Sequence, residues 1–92
     1  MSTTAATALT VVNELGLHAR AATVLVRLAA GFESELYLGK DGHEVNGKSI
    51  MSVLLLTATK GSRIEIRAVG DDAEALIAAV SRLFADRFGE SA

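Results

Sequence analysis

An α+β fold, with one antiparallel sheet and its helices gathered on one face, is predicted by the way two periodicities alternate along the 92 residues. Apolar residues recur at every second position around Leu9, Leu36 and Ile64, and at helical spacing over residues 19–30 and 71–89. The turn sequence Gly39-Lys40-Asp41-Gly42 and the pair Lys60-Gly61 punctuate them. The resulting element order is βαββαβα. A chain of this length sustains one hydrophobic core, so residues 1–92 are expected to form a single domain.

Each element has its own local signal. Leu9 and Val11 alternate with Thr10 and Val12 in a first strand that ends near Asn13 and reaches a turn at Gly16. From Ala19 to about Ala30, Ala22, Leu25, Val26 and Ala29 fall on one helical face, and Gly31 stands where a left-handed cap would close the helix. Leu36 and Leu38 alternate with Glu35 and Tyr37, and the glycine-rich turn after them can lead into a short strand at residues 43–46. Ser49 is suited to cap a short helix made by Ile50, Met51, Val53, Leu54 and Leu55. Ile64, Ile66 and Ala68 alternate with Arg63, Glu65 and Arg67, giving the cleanest strand, with a wet polar face. The last helix is expected to begin at Asp71 with Glu74 as its capping-box partner. It would bury Leu76, Ala79, Val80, Leu83 and Phe84 and end at Gly89.

Composition narrows the function classes. Half of the residues are apolar and 22% are charged, which is globular rather than disordered. Without cysteine there is no disulfide framework, thiolate metal site or thiol nucleophile, and a cytoplasmic location is the simplest expectation. Residues 1–6 are expected to be a loose N-terminal tail; through Ala8 the chain lacks the basic and apolar regions of a secretion signal. No apolar run, Val53 to Leu56 included, approaches the length of a membrane span, so no membrane insertion is expected. A net charge of −2, with basic residues scattered rather than concentrated in a stripe, argues against a nucleic-acid surface.

The segment richest in chemistry is Leu15-Gly16-Leu17-His18-Ala19-Arg20-Ala21-Ala22. It sets a histidine at the start of a helix, beside backbone amides that have no acceptor within the helix. The helix dipole there stabilises an anion and favours neutral imidazole, which keeps a lone pair for attack on phosphorus. Arg20 could add a fixed positive charge with several donors directed at the same phosphoryl oxygens. On periodicity alone the better reading is a helix that His18 simply caps, with Arg20 a solvated surface charge and Gly16 a turn residue.

A wider match separates these two readings. Asn13-Glu14-Leu15-Gly16-Leu17-His18-Ala19-Arg20 resembles the active-site signature of the histidine-containing phosphocarrier family, HPr, of the sugar phosphotransferase system. Asn46-Gly47-Lys48-Ser49-Ile50-Met51 is similar to the family's regulatory-serine region, and Lys60-Gly61 also matches. The resemblance covers roughly residues 7–89. It implies an open-faced β-sandwich, a four-stranded antiparallel sheet covered on one face by three helices. It also implies that enzyme I phosphorylates His18 on Nδ1, with Arg20 as electrostatic partner, and that sugar-specific IIA proteins remove the phosphoryl group. Such a protein is a phosphoryl carrier with a transient phosphohistidine rather than a stand-alone catalyst, and it is expected to need no cofactor and to act as a monomer. One departure stands out: the family usually has proline where this chain has Ala21.

Several residues carry two readings. Ser49 is first of all a helix cap; in some bacterial relatives a serine kinase, opposed by a phosphorylase, modifies this position and weakens docking to enzyme I. Apolar residues of the short helix default to core, but the resemblance makes Leu17, Ile50 and Met51 candidates for partner contact. His43 lies in the hairpin beside Glu44 and reads as a surface residue, and a metal site joining it to His18 lacks any ligand-spacing motif. Two alternatives to the sugar chain are the related regulatory chain that answers to nitrogen status and a ferredoxin-like domain that binds a metabolite.

Overall fold

The computed structural model describes residues 3–92. Along the chain lie β1 (Thr3–Thr10), α1 (Ala19–Ala30), β2 (Glu35–Lys40), β3 (His43–Asn46), α2 (Ile50–Leu55), β4 (Arg63–Gly70) and α3 (Ala73–Ala85), followed by a short 3-10 turn over Arg87–Gly89. The strands form one four-stranded sheet in the order β1-β4-β2-β3. Every pairing is antiparallel.

Register divides the side chains between the two faces. Leu9 pairs with Ile64, Ala5 with Ala68, and Leu38 with both Ile66 and Val45, so one face is continuously apolar. Residues from α1, α2 and α3, notably Leu25, Val53, Leu76, Val80 and Phe84, join that face in one buried cluster. The opposite face carries Arg67, whose guanidinium makes two hydrogen bonds to Glu44 and lies 4.2 Å from the ring centroid of its cross-strand neighbour Tyr37. Charged residues can occupy that face because no helix covers it. The β2–β3 hairpin turns at Asp41 and Gly42, both with positive φ (52° and 84°), the geometry that suits the right-handed twist of its strands.

Several element ends differ from the sequence reading. The expected loose tail is, from Thr3 onward, part of β1, which pairs along its whole length with β4; Met1 and Ser2 lie outside the described residues. Thr-Ala repeats give no alternation, so the neighbouring strand supplies the reason for extension. β1 also stops at Thr10 rather than near Asn13. At the end of α1, Gly31 has φ −77°, and the helix closes by i→i−3 bonds from Gly31 and Phe32 instead of a left-handed cap. At the other end of the chain, α3 stops at Ala85, and Gly89 closes the 3-10 turn after it.

The start of α3 differs for a tertiary reason. Asp72, not Asp71, is its N-cap, and no side chain caps it. The Asp72 carboxylate instead accepts hydrogen bonds from the amides of Glu33 and Ser34, both at 2.9 Å, and from the Ser34 hydroxyl, tying α3 to the α1–β2 loop. The Ser34 hydroxyl bond foremost, with the two amides, holds this carboxyl below its ordinary value. A carboxyl depressed in the folded state contributes stability above its unfolded pKa of about 4 and loses it as pH falls through the folded value. Asp72→Asn should therefore lower the melting temperature at neutral pH, and the gap from the parent should close below about pH 4 in paired thermal melts.

Candidate functional site

The β1–α1 turn is built around Gly16. Its φ of +67° suits glycine, and a Cβ there would lie 2.4 Å from the Ala58 carbonyl oxygen. Next to it, the Leu17 amide donates to that same carbonyl at 2.9 Å. Leu17 itself is only 4% exposed, which corrects its assignment to a partner-binding surface: the side chain is an anchor in the core that holds the turn in place.

His18 is the N-cap of α1, and its carbonyl accepts from the Ala22 amide at 2.8 Å. Its imidazole does not cap the helix. The ring points instead to the other end of the chain, where Nε2 lies 2.6 Å from Oε2 of Glu90; among the described residues Nδ1 has no partner. The His18 side chain keeps 29% of its surface exposed. Arg20 donates from one guanidinium nitrogen to Glu90 at 3.1 Å and to the Phe88 carbonyl at 3.2 Å, and more than half of its side chain is exposed.

Sequence reading missed Glu90 and left Asn13 without a role. Asn13 is fully buried and donates from Nδ2 to the Gly16 carbonyl and to Glu90 Oε1, both at 2.9 Å, so it joins the turn to the C-terminal segment. The Glu14 amide donates to the Ala92 carbonyl at 3.1 Å and secures the end of that segment. Burial pushes the Glu90 carboxyl up, but hydrogen bonds from Asn13 and His18 and the charges of His18 and Arg20 outweigh it, leaving the carboxyl below its ordinary value. Glu90 is therefore ionised at neutral pH. It follows Gly89, and no local periodicity marks it as a neighbour of a residue 72 positions away.

The first turn of α1 offers the amides of Ala19, Arg20 and Ala21, which helix geometry leaves without intrahelical acceptors. Ala21 is completely buried on the core side and is the third helical residue. Ala21→Pro should keep the fold and raise stability by about 0.4–1 kcal/mol, since proline is tolerated in a first turn and restricts the unfolded chain. A large loss of stability on chemical denaturation would show that the Ala21 amide holds a structural bond.

The second segment behaves as a cap and a surface. Ser49 is the N-cap of α2, and its hydroxyl accepts from the Ser52 amide at 3.3 Å. Ser49→Ala should cost about 1 kcal/mol in denaturant titrations, with Ser49→Asp retaining most of the cap. Of the apolar residues of α2, Val53 alone is fully buried; Ile50, Met51 and Leu55 are 37%, 73% and 75% exposed. Since α2 packs against α1, these side chains share a flank of the molecule with the helix that His18 begins. His43 is exposed on β3, and among the described residues no cluster of three His, Cys, Asp or Glu could hold a metal ion.

Fold and site together define a class: small open-faced sandwiches that present one accessible imidazole at a helix start, with a guanidinium beside it. A family model described as the PTS HPr component phosphorylation site matches residues 5–86. The phosphocarrier protein HPr of Xylella fastidiosa (strain Temecula1) is 49% identical over 82 residues, covering 89% of this chain and 92% of that protein. The phosphocarrier protein NPr of Escherichia coli K12 is 41% identical over 81 residues, covering 87% and 90%. An HPr crystal structure from Thermoanaerobacter tengcongensis superposes with a TM-score of 0.92 at 36% identity, covering 96% of this chain and 99% of that one. The chain belongs to the HPr phosphocarrier family of the phosphotransferase system.

Proposed function

We propose that this chain accepts a phosphoryl group from phospho-enzyme I on Nδ1 of His18 and passes it to IIA proteins of the sugar phosphotransferase system. The observation that carries this reading is the partly exposed imidazole with Nδ1 free among the described residues, set on the N-terminus of α1 beside Arg20. In the transfer, the Nδ1 lone pair attacks phosphorus as the bond to the donor breaks. The α1 amides and the helix dipole face the incoming negative charge, and the exposed donors of Arg20 can exchange Glu90 for a phosphoryl oxygen. The group must also leave, which suits a shallow site that binds it without enclosing it.

Ile50, Met51 and Leu55 form the apolar part of the surface on which both protein partners would dock. A phosphate on Ser49 would meet the positive end of α2 without breaking the fold and would place negative charge on that docking surface, as a serine kinase could exploit. In this reading the protein works in the cytoplasm as a monomer. The likeness to NPr keeps the nitrogen-related chain as a second reading.

Incubation with enzyme I and phosphoenolpyruvate is the direct test. One acid-labile phosphoryl group per chain, located on a ring nitrogen of His18 by phosphorus NMR, is the expected product. Protein that stays unlabelled, or is labelled elsewhere, would overturn the proposal.

A further inference from the structure

We infer that Glu90 is the positioning residue that decides which nitrogen of His18 receives the phosphoryl group. The inference rests on His18 as the acceptor and adds a residue outside the segment matched by the family model, residues 5–86. Glu90 is ionised and therefore only accepts hydrogen bonds, so at 2.6 Å the shared proton belongs to Nε2 of the ring. A ring that carries its proton on Nε2 has its lone pair on Nδ1. The carboxylate thus sets the tautomer and also covers Nε2, leaving the uncovered nitrogen as the nucleophile.

Glu90 is itself held from three sides, which makes the constraint geometric. Its Oε1 accepts from buried Asn13, its Oε2 accepts from Arg20, and Phe88, two residues earlier, is buried at 1% exposure. With its side chain 12% exposed, the carboxylate is placed much as the carboxylate of a histidine–carboxylate pair, which orients the ring and stabilises its positive charge. When Nδ1 attacks the phosphorus atom carried by the donor, the N–P bond to Nδ1 forms and the electron pair of the breaking bond between phosphorus and the donor stays with the donor. The His18 ring then carries positive charge with its proton still on Nε2, facing Glu90. Discharge reverses these steps: the acceptor takes the phosphoryl group, Nδ1 recovers its lone pair, and the Nε2 proton has not moved.

The test uses the whole 15N-labelled chain and phosphoramidate as a small phosphoryl donor, so that docking of a protein partner is not involved. In the parent, proton NMR should show an exchange-protected, downfield Nε2–H resonance of His18, and nitrogen–phosphorus correlations should assign the product to Nδ1. Glu90→Ala should lose that resonance and give a severalfold larger share of product on Nε2. Glu90→Gln keeps an acceptor oxygen without charge; it should preserve the choice of nitrogen while slowing the reaction. Glu90 lies outside the apolar core, so these variants should fold as the parent does. An Ala variant with the parent's Nε2–H resonance and product solely on Nδ1 would overturn the inference. Failure of the carrier reading is distinct: the parent would then take no phosphoryl group from phospho-enzyme I, while the Nε2–H resonance of the unphosphorylated protein still decides what Glu90 does.

Discussion

Replacing His18 with alanine is expected to abolish acceptance of phosphoryl groups from phospho-enzyme I, with labelling at background even at long incubation. The expectation follows from the chemistry of the site, because among the described residues hydrogen-bonded around Glu90 His18 is the one imidazole. Asn13 and Arg20 have no lone pair of comparable reactivity, and Glu90 has its oxygens engaged by Asn13, His18 and Arg20. The variant should fold, since the contribution of His18 to the helix is its carbonyl, which alanine also has. His43→Ala should be labelled at the parent rate, as His43 is exposed on β3 and is not part of the cluster around Glu90. Labelling that survives in His18→Ala and disappears in His43→Ala would reassign the site.

The largest loss of stability bearing on the site is expected from Phe88→Ala. Phe88 is 1% exposed, and its ring lies 4.9 Å from that of Phe84 at 59°, a tilted aromatic contact at the end of α3. Truncating a buried phenylalanine costs about 3–5 kcal/mol, a large part of the roughly 5–15 kcal/mol that stabilises a domain. Arg87 and Phe88 both have positive φ (54° and 55°), so the chain reverses there under strain that the buried ring offsets. Without the ring the segment should release, carrying Glu90 away from His18. A fall in the denaturation midpoint of that order, with loss of the protected Nε2–H resonance, is the expected result. A midpoint within about 1 kcal/mol of the parent would mean that the ring contributes little and that the segment is held by its polar contacts alone.

Local chemistry made much of the molecule legible. Alternation in Ile64-Glu65-Ile66-Arg67-Ala68 defined β4 and both its faces, the Asp41-Gly42 turn defined the hairpin, and the Ser49 hydroxyl capped α2 as its position suggested. His18 reached the N-cap of α1 because Gly16 and the helical spacing after Ala19 act within a few residues of it. The same short range explains what stayed hidden. Thr3 to Ala8 are extended because β4 pairs with them, and Asp72 grips the α1–β2 loop because α3 packs there.

Leu17 reads as an exposed neighbour of a reactive residue until the Ala58 carbonyl takes its amide and its side chain is drawn into the core. By itself the sequence determined the element order, the single core and the histidine at a helix start, all of them consequences of periodicity and turn geometry over a few residues. Only the tertiary structure decided what surrounds that histidine. Glu90 meets His18 across 72 positions because burial of Phe88 and the bonds from Asn13 and Arg20 return the chain terminus to the turn, and such contacts depend on packing in three dimensions rather than on spacing along the chain.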